Sequence, residues 1–218
     1  YSSCEWELNN PNDTLEAAEE RTLASYARRV GLDDDGVKRV LDIGCGPAAF
    51  YGRYRDVDGL EYVGVEPNEA YVRDAEQRHP NIELHAGTVP EVRDAIKGRF
   101  DLVVLEGVLH HIDDETAYHA LDFAASRLVP GGRLVALDPV ILGRQNPVAR
   151  LLGRMDRGKH VRTLEGYRRL AIGHFGDEAV SVRRLAGQLR VPRRPLRAER
   201  SRFVTESNAV KVIRMKME

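Results

Sequence analysis

Val40-Leu41-Asp42-Ile43-Gly44-Cys45-Gly46-Pro47-Ala48 reads as a buried strand that runs into a glycine-rich turn and then a helix. Gly44 and Gly46 permit positive φ and let backbone N–H groups come close to a ligand. The helix N-terminus behind them favours a carboxylate or phosphate. On either side, short apolar runs recur at Arg39–Ile43, Glu61–Val65, Asn81–His85, Phe100–Leu105 and Gly132–Leu137, most of them marked by β-branched residues. Between the runs lie stretches with helical spacing: Pro47–Arg55, Glu69–His79, Pro90–Lys97 and Asp114–Leu128. Strand alternating with helix in this way specifies βαβ crossovers, hence an α/β domain with a parallel sheet and helices on both faces.

The flanks differ in texture. Asp13–Val30 reads as a helix capped by Asp13 or Thr14, with Leu15, Ala18, Leu23, Tyr26, Ala27 and Val30 as its apolar stripe. Residues 139–162 are rich in proline, glycine and arginine and read as an insertion draped over the sheet. Thr163 then caps a helix through about Gly173, and Ala179–Leu185 and Ala209–Met217 read as two last strands joined by a basic loop, Arg190–Arg202. The whole makes one domain: 1–36 an N-terminal helical lid, 37–138 the core, 139–178 the insertion and helix, 179–218 the last strands.

At 218 residues the chain is long enough to bury a core without staples. No apolar run reaches the ~18 residues that span a bilayer, and no secretory signal is visible. Two cysteines, Cys4 and Cys45, are too few for a disulfide framework, and a reducing cytoplasm is the plain expectation. The net charge of -1 conceals an asymmetry: residues 1–143 hold 14 Lys/Arg against 27 Asp/Glu, and the remainder 19 against 7. Eight arginines lie between Arg183 and Arg202 with Glu199 as the sole acid, a stretch that pairs with the acidic body, faces water, or meets phosphate.

Two ligands compete for the glycine turn. Gly44, Gly46 and Ala49 formally satisfy G-x-G-x-x-G/A, with Glu66 about twenty residues on, as a dinucleotide requires. Asp42 argues against it, because a carboxylate at the strand end would repel a pyrophosphate. It suits a ligand that carries an ammonium and a sulfonium, as S-adenosylmethionine does.

The segment resembles the glycine-rich signature of the class I S-adenosylmethionine-dependent methyltransferases, an acidic residue followed by G-x-G. Further pieces follow in that family's order. Glu66 in Tyr62-Val63-Gly64-Val65-Glu66-Pro67 stands where the family's acidic residue holds both ribose hydroxyls. Ala86-Gly87-Thr88-Val89 stands where the family contacts adenine, with Thr88 in place of a common aspartate. Leu105-Glu106-Gly107-Val108-Leu109-His110-His111-Ile112-Asp113 resembles the segment after strand four in members that act on small molecules. Leu128-Val129-Pro130-Gly131-Gly132-Arg133-Leu134 matches the L-x-P-G-G-x-L turn into strand five. Ala48 stands at a frequent third glycine, where alanine is tolerable at negative φ. The resemblance covers residues 36–138. It implies an open Rossmann-like seven-stranded sheet of order 3-2-1-4-5-7-6, strand 7 antiparallel, with the donor across the ends of strands 1, 2 and 4. It also implies S-adenosyl-L-methionine as cofactor, held by Asp42, Gly44, Cys45, Gly46, Glu66, Pro67, Gly87, Thr88, Val89, Glu106 and Gly107.

Methyl transfer demands alignment, plus deprotonation of a hydroxyl acceptor. Imidazole suits that task, which nominates His110 or His111 as base, with His160 behind them. One of the pair can instead pack beneath the cofactor. Asp113–Glu115 reads as an acidic helix start rather than a metal site, and no metal is expected. Trp6, Tyr26 and Tyr1 could lid the donor. Arg144, Arg150, Arg154, Arg157, Lys159 and Arg162, with only Asp156 against them, suit an anionic small-molecule acceptor for O- or N-methylation, of natural-product or glycan type. The alternatives are an RNA acceptor reached through the arginine-rich segment, a non-catalytic binder of the cofactor, and a nicotinamide oxidoreductase disfavoured by Asp42. No aromatic interleaves the arginines before Phe203, which weighs against RNA.

Overall fold

The computed structural model describes residues 36–141, 159–184, 187–189, 205–207 and 211–216, with Thr14, Ala17 and Arg21 as isolated positions. The core alternates strand and helix: β1 (Arg39–Ile43), α1 (Ala49–Tyr54), β2 (Glu61–Glu66), α2 (Glu69–Arg78), β3 (Glu83–Ala86), α3 (Val89–Val92) and β4 (Phe100–Glu106). It continues through α4 (Asp114–Ser126), β5 (Leu128–Asp138), β6 (Val140–Ile141), β7 (Arg162–Thr163) and α5 (Leu164–Phe175). The last strands are β8 (Val180–Arg184), β9 (Gly187–Leu189), β10 (Thr205–Ser207) and β11 (Lys211–Lys216).

Strands β3, β2, β1, β4 and β5 lie side by side in that order and pair in parallel, the Rossmann-like arrangement expected of the crossovers. Beyond β5, β11 runs antiparallel to both β5 and β8. Two small pairs accompany the main sheet: β6 with β7 in parallel, and β9 with β10 antiparallel.

Both faces of the sheet are buried, which is why its strands are apolar at consecutive positions rather than alternate ones. On one face Val40, Tyr62, Leu102, Val104, Val135 and Leu137 pack with Phe50, Tyr54 and Ala75. On the other, Leu41, Ile43, Val63, Val65, Val103, Leu105, Leu134 and Ala136 pack with Val92, Ile96, Ala117, Leu121 and Ala124. Each fully buried aliphatic or aromatic side chain contributes about 1.5–3 kcal/mol by leaving water. The helices begin where side chains satisfy their free N–H groups. Asn68 accepts from Ala70 N (2.9 Å), Asp113 from Thr116 N (2.8 Å) and Thr163 from Gly166 N (3.1 Å). Near the N-terminus Thr14 Oγ1 accepts from Ala17 N (3.1 Å), the capping expected there.

Three local expectations are corrected. Helix spacing over Pro90–Lys97 yields only the single turn α3, after which Val92 O accepts from both Ala95 N and Ile96 N in a turn and Gly98 takes a positive φ. Leu128–Gly132 is not a turn ahead of β5 but its bulged first part, with a register shift against Phe100 and Leu102 that accommodates Pro130. Ala48 has φ 56, in the left-handed region that alanine disfavours by about 1–2 kcal/mol, although its methyl is fully buried. At the described ends of the insertion, Val140 and Ile141 of β6 pair with Arg162 and Thr163 of β7. The body of the N-terminal helix, residues 142–158 and the basic loop Arg190–Arg202 lie outside the described residues.

Candidate active site

Among the described residues, four polar side chains are buried: Asp42, Glu66, His110 and Asp138. All four lie at the carboxyl ends of the parallel strands or just beyond them, where open α/β sheets bind ligands. Asp42 is the fourth residue of β1, Glu66 ends β2, Glu106 ends β4 and Asp138 ends β5.

Around the glycine turn the backbone is tied to β2. Gly44 N and Cys45 N both donate to Val65 O (2.7 and 3.1 Å). Glu66 Oε2 accepts from Gly46 N (3.0 Å) and Oε1 from Asn68 N (2.8 Å), so one carboxylate joins the turn to the β2 end. Gly44 (φ 74) is required twice, since a Cβ there would stand 2.5 Å from Val108 Cγ2 on the loop after β4. Gly44→Ala is therefore expected to destabilise the fold by about 1–3 kcal/mol through positive φ and overpacking, read as a lowered melting temperature. Gly46 (φ 54) faces open space instead, with nothing within 4 Å of a Cβ.

Asp42 is almost wholly buried; its Oδ2 accepts from Tyr62 OH (2.7 Å) while its Oδ1 has no partner. Burial pushes its carboxyl up to about 7; the phenol opposes that rise, and Glu106 and Glu66 add to it. The Cys45 thiol is pushed well up, chiefly by burial and then by Asp42, which removes it as a nucleophile. Glu106 is exposed at the surface yet its carboxyl is raised by surrounding protein mass and then by Asp138, the combination expected of a cleft wall. Thr88 donates through both its N–H and its hydroxyl to Glu91 Oε2 (2.7 Å each), which leaves the hydroxyl oxygen able to accept.

The two histidines separate. His110 is buried and His111 exposed, with ring centroids 3.9 Å apart. Asp138 Oδ1 accepts from His110 Nδ1 (2.7 Å) and from His110 N (3.0 Å), which places the proton on Nδ1 and leaves Nε2 with its lone pair. Burial raises the Asp138 carboxyl, and His110 opposes that rise. Asp138 was not singled out in the sequence. Its signal was there, in a carboxylate closing β5 as Glu66 closes β2. Tyr62 likewise read only as a strand residue. His160 contributes its backbone, donating from N to His110 O (2.9 Å). No group of three or more metal-ligating side chains gathers among the described residues. No helix among them is long and apolar enough to cross a membrane.

The parallel order β3-β2-β1-β4-β5, with the glycine turn and acidic residues at the strand ends, is the fold of S-adenosylmethionine-dependent methyltransferase domains. Residues 41–134 match the family described as methyltransferase domain. The chain is 23% identical over 146 residues to an uncharacterized methyltransferase of Alkaliphilus oremlandii, covering 67% of this chain and 65% of that protein. It is 33% identical over 116 residues to a tRNA U34 carboxymethyltransferase of Psychromonas ingrahamii, covering 50% and 34%. The chain thus spans less than two thirds of either relative's length. In fold it is similar to the N-methyltransferase NodS of Bradyrhizobium japonicum in complex with S-adenosyl-L-homocysteine, with TM-score 0.62, 20% identity and coverage of 97% and 94%.

The cofactor of this class is S-adenosyl-L-methionine, and the residues present fit it. The unpartnered Asp42 oxygen calls for a cationic or hydrogen-bonding group, and the space beside Gly46 admits a ligand against its backbone. A pyrophosphate at the end of β1 would meet the Asp42 carboxyl, which disfavours the nicotinamide alternative.

Proposed function

We propose that the domain methylates a hydroxyl or amino group of a small molecule, with His110 as general base and Asp138 as its orienting partner. The buried 2.7 Å contact between His110 Nδ1 and Asp138 Oδ1 carries this reading. Asp42, Glu66 and the Gly44–Gly46 turn would hold the donor, with Thr88 toward its base and Glu106–Gly107 toward its amino-acid end; Cys45, Pro67, Gly87 and Val89 belong to the same wall. When bound, the donor supplies an electrophilic methyl on a sulfonium. His110 Nε2 takes the acceptor's proton as the new bond to carbon forms, and the Asp138 carboxylate stabilises the imidazolium through Nδ1–H.

Calorimetric titration with S-adenosylmethionine and S-adenosylhomocysteine, with NADH as control, tests the donor site. Binding of the methyl compounds alone supports it; binding of NADH alone sinks it. Glu66→Ala should weaken binding by about 1–3 kcal/mol, the range for losing a charged hydrogen-bond partner, and unchanged affinity would remove Glu66 from the site. Acceptors are then screened beginning with anionic small molecules, which the basic 144–162 segment favours.

A second reading, an RNA acceptor, draws on the 33% identity to a tRNA-modifying protein and on the arginines of 183–202. It requires RNA binding whose affinity falls steeply with salt; salt-independent or absent binding rules it out.

A further inference from the structure

We propose that Arg162 is a positioning residue for His110, a fork that clamps the loop carrying the base to the returning end of the insertion. This rests on the reading of His110 as base. The Arg162 side chain is only 9% exposed, and its guanidinium reaches three backbone carbonyls. Nη1 donates to Leu109 O and to His160 O (3.0 Å), and Nη2 donates to Ile112 O (2.8 Å). Nε and Nη2 also meet Asp114 Oδ1 at 2.7 Å, at the start of α4.

The His110 loop is thereby gripped along its length from one short segment. Leu109 O and Ile112 O go to the Arg162 side chain, and the intervening His110 O to the backbone N of His160. From the other side Asp138 holds both His110 N and Nδ1. Arg162 is itself seated by β7, whose register pairs it with Val140, two residues beyond Asp138. Tyr167 completes the seat: its ring lies 5.8 Å under the guanidinium, and its hydroxyl donates to Pro139 O (3.0 Å). A buried cation this close also favours the ionised Asp138, in line with the lowering that Arg162 exerts on that carboxyl.

The side-chain type is informative. A lysine would keep the charge beside Asp114, but its single ammonium cannot span carbonyls on both sides of His110 as a planar fork does. Substitution should loosen the imidazole's orientation without touching Asp42, Glu66 or the glycine turn.

The test uses the full chain saturated with S-adenosylhomocysteine, so that it needs no acceptor. Proton NMR follows the downfield Nδ1–H of His110, assigned by its absence in His110→Asn. In Arg162→Lys and Arg162→Gln that proton should exchange with solvent about tenfold faster or more, while S-adenosylhomocysteine affinity stays within about twofold. Unchanged exchange in both folded variants overturns the proposal. Should neither variant fold, the wild-type protein answers: Arg162 Nε–H and His110 Nδ1–H should exchange through a common opening, and independent openings overturn the clamp. Failure of the base reading looks different, as full turnover in His110→Gln with both resonances of the wild type unaffected.

Discussion

Replacing His110 with glutamine is expected to lower methyl transfer to a hydroxyl acceptor by about 10²–10⁴-fold, the usual contribution of a positioned general base. The loss should fall on turnover, with S-adenosylhomocysteine affinity within about twofold, because the polar partner of the His110 ring is Asp138 and not Asp42, Glu66 or the glycine turn. Asp138→Asn is the companion. An asparagine oxygen can still accept from His110 Nδ1, but it no longer offers a full charge to the imidazolium, so a loss of similar order is expected. His111, exposed beside the pair, should tolerate the same replacement. Initial rates on the acceptor found by screening decide the matter. Wild-type rates in both His110→Gln and Asp138→Asn would leave the domain relying on alignment alone, as an amine acceptor allows.

Asp42→Asn is expected to separate donor binding from stability. Its carboxyl is buried with an oxygen that no protein group satisfies, a strain on the ligand-free fold. The sign of the pH dependence follows from its position. The unfolded chain releases this proton near pH 4, whereas the folded protein holds it until about 7. The native state therefore binds more protons in that window, so Asp42's contribution to stability declines as pH rises from about 4 to 7 and is flat above. A cationic donor reverses the preference and draws the proton off. Donor affinity should rise about tenfold per pH unit up to about 7 and then level, with proton release measurable by calorimetry in buffers of differing ionisation enthalpy. In Asp42→Asn both slopes should vanish. Affinity should drop by about 1–3 kcal/mol at neutral pH while the ligand-free protein melts no lower than wild type. Affinity with no pH slope in wild type, together with no loss in the variant, would remove Asp42 from the donor site.

Much of this was legible from local pattern. Apolar runs at β1, β2 and β4 are short, doubly buried and punctuated by glycine, and each run corresponds to a strand within a residue. A parallel strand must bury both faces, so its composition announces it without reference to partners. The Asp42–Gly46 turn and Glu66 were legible for a related reason. A backbone that must approach a ligand closely, beside a strand-end carboxylate, leaves few residue types possible. Weaker patterns misled. Pro90–Lys97 has the spacing of a helix, yet only one turn forms before the chain turns at Val92–Ile96 and reaches Gly98 at positive φ. Ala48, buried at the start of α1, carries no local sign of its left-handed backbone.

What the sequence by itself determined is the alternating α/β core, the glycine turn and the acidic residues Asp42 and Glu66 at the strand ends. Each is a property of a few neighbouring residues. Tertiary structure alone decided which histidine is buried against a carboxylate. His110 and His111 are chemically identical and adjacent, and they differ only in what meets them: Asp138 from β5, 28 positions on, and the Arg162 fork from beyond the insertion. Partners so far apart along the chain leave no periodicity to read. Their meeting is fixed by the register of β4 against β5 and of β6 against β7, and register is a property of the assembled sheet.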